Sequence, residues 1–418
     1  MPGQKQVSLI LILILITGGC NRRIHQSAAE DEQREMAIAA MAFPARNNQF
    51  AFDLLHILPP GRENFVVSPF SISAAMAMTY AGARGETREQ MARVMHFEDE
   101  DSGFHKQYGE YLDELDLMAG DSISLNIANG LWAQQDYHFL DSFFDLIESA
   151  YDSRTFMVDF MADREGIRQN INHWVYEETA ENIDDLIRRG VLTADTRLVL
   201  VNAIHFFGPW MEEFEPELTR EDNFFPSPGE QSQVNYMIQR DTFPYFEDEN
   251  MQVLEIPYAG GKFSMMVILP SEGIELALLE ESLDALCFFR LTRRVRPAAI
   301  ELLLPRFEAR SGVDLEETLA SMGMQNAFTD YADFSGMTGQ ADLKIDKVIH
   351  QAMIEVAEKG TEAAAATAVV AIRKTAPGQD EYHVFNANRP FLFFIKDNQH
   401  QSILFAGRVM DPAMKQDQ

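Results

Sequence analysis

Two basic side chains, Arg373 and Lys374, stand together in the run Ala371-Ile372-Arg373-Lys374-Thr375-Ala376-Pro377-Gly378, which the polar, acidic Gln379-Asp380-Glu381 closes. A basic pair in a segment bounded by Pro and Gly offers chemistry to another protein's active site, so the run reads as exposed bait for a protease. Groups that would let this chain do chemistry of its own are missing by comparison. The sequence holds no G-x-S-x-G elbow, no H-E-x-x-H, no C-x-x-C pair, no Walker A loop and no G-x-G-x-x-G. Its 10 histidines are scattered without ligand spacing, so no metal and no other cofactor is expected. Sequence order leaves open a Ser-His-Asp set drawn from distant positions, but nothing specifically supports one. The chain is expected not to be an enzyme.

Immediately upstream lies Glu358-Lys359-Gly360-Thr361-Glu362, followed by four alanines and Thr367-Ala368-Val369-Val370. At period two, Thr361, Ala363, Ala365, Thr367 and Val369 share one face, and all are small or β-branched, so all can be buried. Glu362, the one charge after the glycine, falls on the other face. The segment reads as a strand that has no sheet of its own.

Other elements must supply that sheet. Helical periodicity appears at Phe50, Asp53, Leu54 and Ile57, and over Ser71 to Tyr80, where alternating Ala and Met suggest a tightly surrounded helix. Ile167, Ile171, Trp174, Val175 and Glu178 give another helix, expected to end at Gly190. Thr87-Arg88-Glu89-Gln90 reads as a capping box opening a further one. Strand signals cover 197–207, 253–257, 263–269, 299–305, 391–395 and 403–409. Helices and strands mix without strict βαβ alternation, so the class is α+β, in one domain from residue 46 to 418.

Residues 1–19 read as a signal peptide: Lys5 precedes the apolar run Val7 to Ile16, too short to cross roughly 30 Å of hydrocarbon. Thr17-Gly18-Gly19-Cys20 resembles a bacterial lipobox in which Cys20 is lipidated, with Thr17 standing where that motif usually has Leu. The expected destination is the cell envelope through a lipid anchor, or secretion if Cys20 is incidental. Residues 20–45 suit a flexible tether. With Cys20 lipidated, Cys287 has no thiol to pair with and reads as a core residue. The formal net charge of -31 argues against nucleic acid and heparin-like polyanions as partners.

Four motifs, in order and at their spacing, give the chain a family resemblance from about Arg46 to Pro412. These are Asn64-Phe65-Val66-Val67-Ser68-Pro69-Phe70-Ser71-Ile72-Ser73; Ile171-Asn172-His173-Trp174-Val175 with Ile183-Asp184-Asp185-Leu186; Leu200-Val201-Asn202-Ala203-Ile204-His205-Phe206 with Trp210; and Phe385-Asn386-Ala387-Asn388-Arg389-Pro390-Phe391 with Phe405-Ala406-Gly407-Arg408. They resemble the signatures of the serpins, the serine protease inhibitors. The resemblance implies three β-sheets, one a large central mixed sheet, eight or nine helices, and an exposed reactive-centre loop at about 358–384. It implies a monomer that a protease attacks as substrate, after which the cleaved loop inserts into the main sheet and traps the acyl-enzyme; the insertion is a known case of strand addition.

Carried onto this chain, the resemblance makes Glu358, Gly360, Thr361, Ala363, Ala365 and Thr367 the hinge. It makes Ser68, Ser71, Asn202 and His350 the shutter, and Trp210 part of the breach where the loop enters. The family's usual distance places the reactive bond at Lys374-Thr375, with Arg373 as rival, and either implies a trypsin-like serine protease as partner. Fourteen steps from Gly360 to Lys374 would span roughly 46 Å as a strand. The absence of inward charges favours an inhibitor. A non-inhibitory binding or chaperone-like member, and a cysteine protease target, remain alternatives.

Overall fold

The computed structural model describes residues 43–58, 61–97, 103–120, 122–151, 153–361 and 382–414. In chain order the helices are α1 (Phe43–Ile57), α2 (Pro69–Tyr80), α3 (Gly85–Met95), α4 (Phe104–Ala119), α5 (Asp141–Tyr151), α6 (Phe160–Glu178), α7 (Leu276–Ser282), α8 (Ala285–Arg294), α9 (Leu315–Ser321) and α10 (Ser335–Thr338). The strands are β1 (Phe65–Val67), β2 (Ser124–Gln134), β3 (Arg154–Val158), β4 (Leu198–Pro209), β5 (Arg220–Phe224), β6 (Ser232–Glu247), β7 (Met251–Pro257) and β8 (Phe263–Pro270). They continue with β9 (Arg296–Pro305), β10 (Phe307–Asp314), β11 (Lys347–Ala357), β12 (Gly360–Thr361), β13 (His383–Asn386), β14 (Phe391–Asp397) and β15 (Ile403–Val409).

The α+β class holds, and the central sheet is mixed. Its order is β10-β11-β12-β4-β2-β3, with β11 parallel to β4, β2 parallel to β3 and the other neighbours antiparallel. The remaining strands form one hydrogen-bonded ladder, β1-β15-β14-β8-β7-β6-β9-β13, with β5 on β6. Two smaller sheets were implied. They are joined because β6 runs for 16 residues, pairing with β9 over most of that length and with β7 at its end.

Two packing layers position the site. Every residue of α2 is buried, which the small Ala side chains allow, and Ser68 caps it by accepting from the Ser71 N–H at 3.1 Å. On the opposite face of the central sheet, α6 and the segment after it cover a separate apolar cluster. Ile167, Ile171, Trp174, Ile183 and Ile187 meet Val199, Val201, Ala203 and Ile349 there.

Two local expectations are corrected. Thr87 opens no capping box: α3 begins two residues earlier, at Gly85, and the Thr87 hydroxyl instead accepts the Asp333 N–H at 2.9 Å. Helix α6 ends at Glu178 with Thr179 as its cap, well before Gly190, because Thr179 Oγ1 bonds back to the Val175 carbonyl at 2.7 Å. Cys287 is buried in α8 as expected. The chain's other cysteine, Cys20, lies outside the described residues.

Candidate functional site

The site is a seam between β11 and β4. The two strands pair directly over seven residues, from Lys347 beside Val199 to Met353 beside His205. In the middle of that run His350 faces Asn202, and α2 closes over both. His350 Nε2 accepts the Ser68 backbone N–H at 3.1 Å, so its proton sits on Nδ1, which donates to Asn202 Oδ1 at 2.5 Å. The Asn202 amide nitrogen donates in turn to Ser71 Oγ at 2.5 Å and to Asn129 Oδ1 at 2.6 Å, and Ser68 Oγ donates to the Leu404 carbonyl at 2.7 Å. Ser68, Ser71, Asn202 and His350 are all fully buried. Burial pushes the His350 pKa down to about 3, which keeps the ring neutral. The four residues grouped by sequence therefore form one closed polar cluster that ties β4, β11 and α2 together.

Above Met353 the seam opens. The chain turns at Glu358-Lys359, and Gly360-Thr361 comes back as a two-residue strand inserted between its neighbours. Thr361 lies beside Val356 on one side and Gly208 on the other, and Gly360 beside Ala357 and Pro209. Only glycine fits at 360: a Cβ there would meet the Gly208 carbonyl oxygen at 2.2 Å and Pro209 Cα at 2.6 Å. Thr361 is fully buried.

The turn is held from three sides. The Trp210 N–H donates to the Lys359 carbonyl at 2.9 Å, its ring Nε1 to the Ala357 carbonyl at 2.9 Å, and the Phe214 N–H to the Glu358 carbonyl at 2.9 Å. Arg306 binds the Glu358 carboxylate through Nε at 2.9 Å and Nη2 at 2.5 Å, and the Thr219 hydroxyl donates to the same oxygen at 2.5 Å. Burial alone would push the Glu358 pKa up; the bonds from Arg306 and Thr219 outweigh it and hold the carboxyl below its usual range.

The turn that carries Glu358, Gly360 and Thr361 is thus bonded to Trp210 through the Ala357 and Lys359 carbonyls. Ala363, Ala365, Thr367, Arg373, Lys374, Thr375 and Cys20 lie outside the described residues. Arg306, Thr219, Asn129, Gly208 and Tyr258 were not anticipated. Arg306 and Thr219 sit in other strands and loops, and nothing in their local sequence points to Glu358.

A family model described as serpin (serine protease inhibitor) matches residues 45–412. Serpin B4 of Homo sapiens is 39% identical over 386 residues, covering 88% of this chain and 98% of that protein. The leukocyte elastase inhibitor of Bos taurus is 38% identical over 382 residues, covering 88% and 99%. The crystal structure of Serpin48 from Tenebrio molitor superposes with a TM-score of 0.79 at 30% identity, over 88% of this chain and 98% of that one. The family model over residues 45–412 and relatives at 38–39% identity show that the chain belongs to the serpin family. Serpins in general are protease inhibitors that complex with target proteases and not catalysts, and some members are non-inhibitory.

Proposed function

We propose that the protein is a single-use inhibitor that traps a trypsin-like serine protease at the acyl-enzyme. The observation that carries this reading is Thr361, buried between Gly208 and Val356 while the seven pairs below it keep the sheet shut. A strand continued from Thr361 in the same register moves two residues back along β4 and β11 for every two it advances. That register puts Ala363 between Phe206 and Ile354, and Ala365 between Ile204 and Ala352. Thr367 falls between Asn202 and His350, and Val369 between Leu200 and Val348. Each of these eight neighbours is buried, so the inward loop positions need small or apolar side chains, which is what they carry.

The chemistry belongs to the protease until the trap closes. Its serine oxygen bonds to the Lys374 carbonyl carbon, the bond to the Thr375 nitrogen breaks, and the amine leaves with a proton from the protease histidine. The freed strand then advances along the seam and carries the ester towards and past Leu198, the first residue of β4. An oxyanion hole works only when preorganised, so dragging the protease stalls the water step that would release it. Arg373 is the rival acylated residue. Intact-mass analysis of a mixture with trypsin tests the assignment: the account expects an adduct that has lost the peptide beginning at Thr375. A lost peptide beginning at Lys374 selects Arg373, and two free fragments with no adduct overturn the reading.

Export with a lipid on Cys20 is part of the same proposal, supported by the apolar leader and the small residues before the cysteine. The mass of the mature N-terminal peptide decides, since a diacylglyceryl addition supports the anchor and a peptide released only by reduction from Cys287 removes it.

A further inference from the structure

Backbone pairing alone does not explain why Thr361 stays in the sheet, because a two-residue strand is marginal by itself. Its hydroxyl lies 2.7 Å from the hydroxyl of Tyr258, and both residues are fully buried. The Tyr258 ring is fixed in place: Trp210 stacks on it with centroids 4.7 Å apart and planes 12° apart, and Phe206 meets it edge-on at 4.9 Å. Its backbone N–H is bonded to the Phe263 carbonyl at 3.0 Å, and it bridges to Trp210. The surrounding rings offer its hydroxyl no acceptor, and the Trp210 N–H is already spent on Ala357. Withdrawal of Thr361 would therefore leave two hydroxyls to be satisfied elsewhere, one of them on a ring that cannot follow the loop.

We infer that the Tyr258 hydroxyl is a latch that holds the first inserted residue of the loop in the sheet and so sets how readily the loop advances or withdraws. This rests on the inhibitor reading above but reaches a residue that reading does not use. Tyr258 acts through Thr361 as a positioning residue. With the latch closed, the seam is already parted, and insertion after cleavage starts from a formed nucleus instead of paying the ordering of the first pair during the race with deacylation. With the latch open, the slot beside Gly208 empties and insertion must begin afresh.

Two readouts test this on the whole protein. The first needs no protease: a synthetic peptide of the sequence Thr361 to Lys374 is annealed to the native protein and its rate of incorporation followed. Tyr258→Phe is expected to take up the peptide about fivefold faster, since one net hydrogen bond no longer keeps the hinge in the slot. The second is the number of inhibitor molecules consumed per trypsin trapped, expected to rise about severalfold in the same variant as more loops are cut before they insert. Thr361→Val removes the same bond from the loop side and serves if Tyr258→Phe fails to fold. The double variant Tyr258→Phe/Thr361→Val is expected to match either single variant in both readouts, because the shared bond is already lost, whereas general loosening of the breach would add the two effects.

Unchanged peptide uptake in Tyr258→Phe, or a double variant whose effect is the sum of the two single ones, overturns the latch. Separated uptake rates in a protein that traps no protease would leave the latch standing and remove the inhibitor reading. Trapping with identical uptake rates would do the reverse.

Discussion

The Nδ1 of His350 donates to Oδ1 of Asn202 at 2.5 Å, joining with one neutral hydrogen bond the two strands that an inserting loop must separate. The bond is satisfied at both ends of the imidazole, because Nε2 takes the Ser68 N–H. The shutter therefore has a defined tautomer, and charge on the ring would set a second N–H against that of Ser68.

His350 predicts an acid limit on stability. Its folded pKa, near 3, lies below the unfolded value near 6.5, so the unfolded chain binds the extra proton in between. The stabilisation is complete above about pH 6.5 and is lost as pH falls towards 3. Thermal midpoints measured across that window at one scan rate are expected to fall with pH, and the dependence should flatten in His350→Gln. That variant should also lose about 1–3 kcal/mol at pH 7, from the unpaired Ser68 N–H and Asn202.

Glu358 predicts a weaker, lower-pH effect. Its folded pKa is depressed, so its contribution is present above the ordinary carboxylate range and lost as pH falls through the folded value. Glu358→Gln keeps the shape and removes the charge. The half-exposed Arg306 keeps the expected cost at pH 7 to about 1 kcal/mol, measured by urea unfolding at fixed exposure time.

Thr361→Arg is expected to keep the protein folded, with its loop expelled from the seam, and to turn inhibitor into substrate. A guanidinium has no partner between Gly208 and Val356. Gel analysis should show loop cleavage by trypsin and no stable complex, and undiminished trapping would remove buried insertion from the account.

Lys374→Ala is expected to slow complex formation with trypsin by at least about 100-fold, because the carboxylate of the protease's specificity pocket is left unpaired. Arg373→Ala should change the rate far less. The opposite ranking moves the reactive bond by one residue.

Much of the site was legible because its side chains announce themselves by spacing. The run of small residues after Gly360 marks a strand for burial, and the strand at 197–207 carries Asn202 inside an otherwise apolar run, which a buried polar partner explains. Thr361 is legible as an inward hinge position, but not that it is already seated. That depends on the ring of Tyr258 and the two glycines, 208 and 360, whose meeting is a matter of tertiary packing. Arg306 and Thr219 are invisible for the same reason. The capping box at Thr87 misled because a side chain that can cap a helix can equally take an N–H from a distant loop, here that of Asp333. Sequence also gives no sign that β6 runs unbroken through both smaller sheets.

The claim that cleavage releases a strand that traps the enzyme is met most directly by titrating trypsin with the intact protein and resolving the products on a denaturing gel. The account predicts a band at the summed mass of protease and inhibitor, less the peptide from Thr375 onward, that survives boiling in SDS and grows as active trypsin disappears. Complete cleavage at Lys374 or Arg373 with trypsin still active and no such band at any ratio would contradict it.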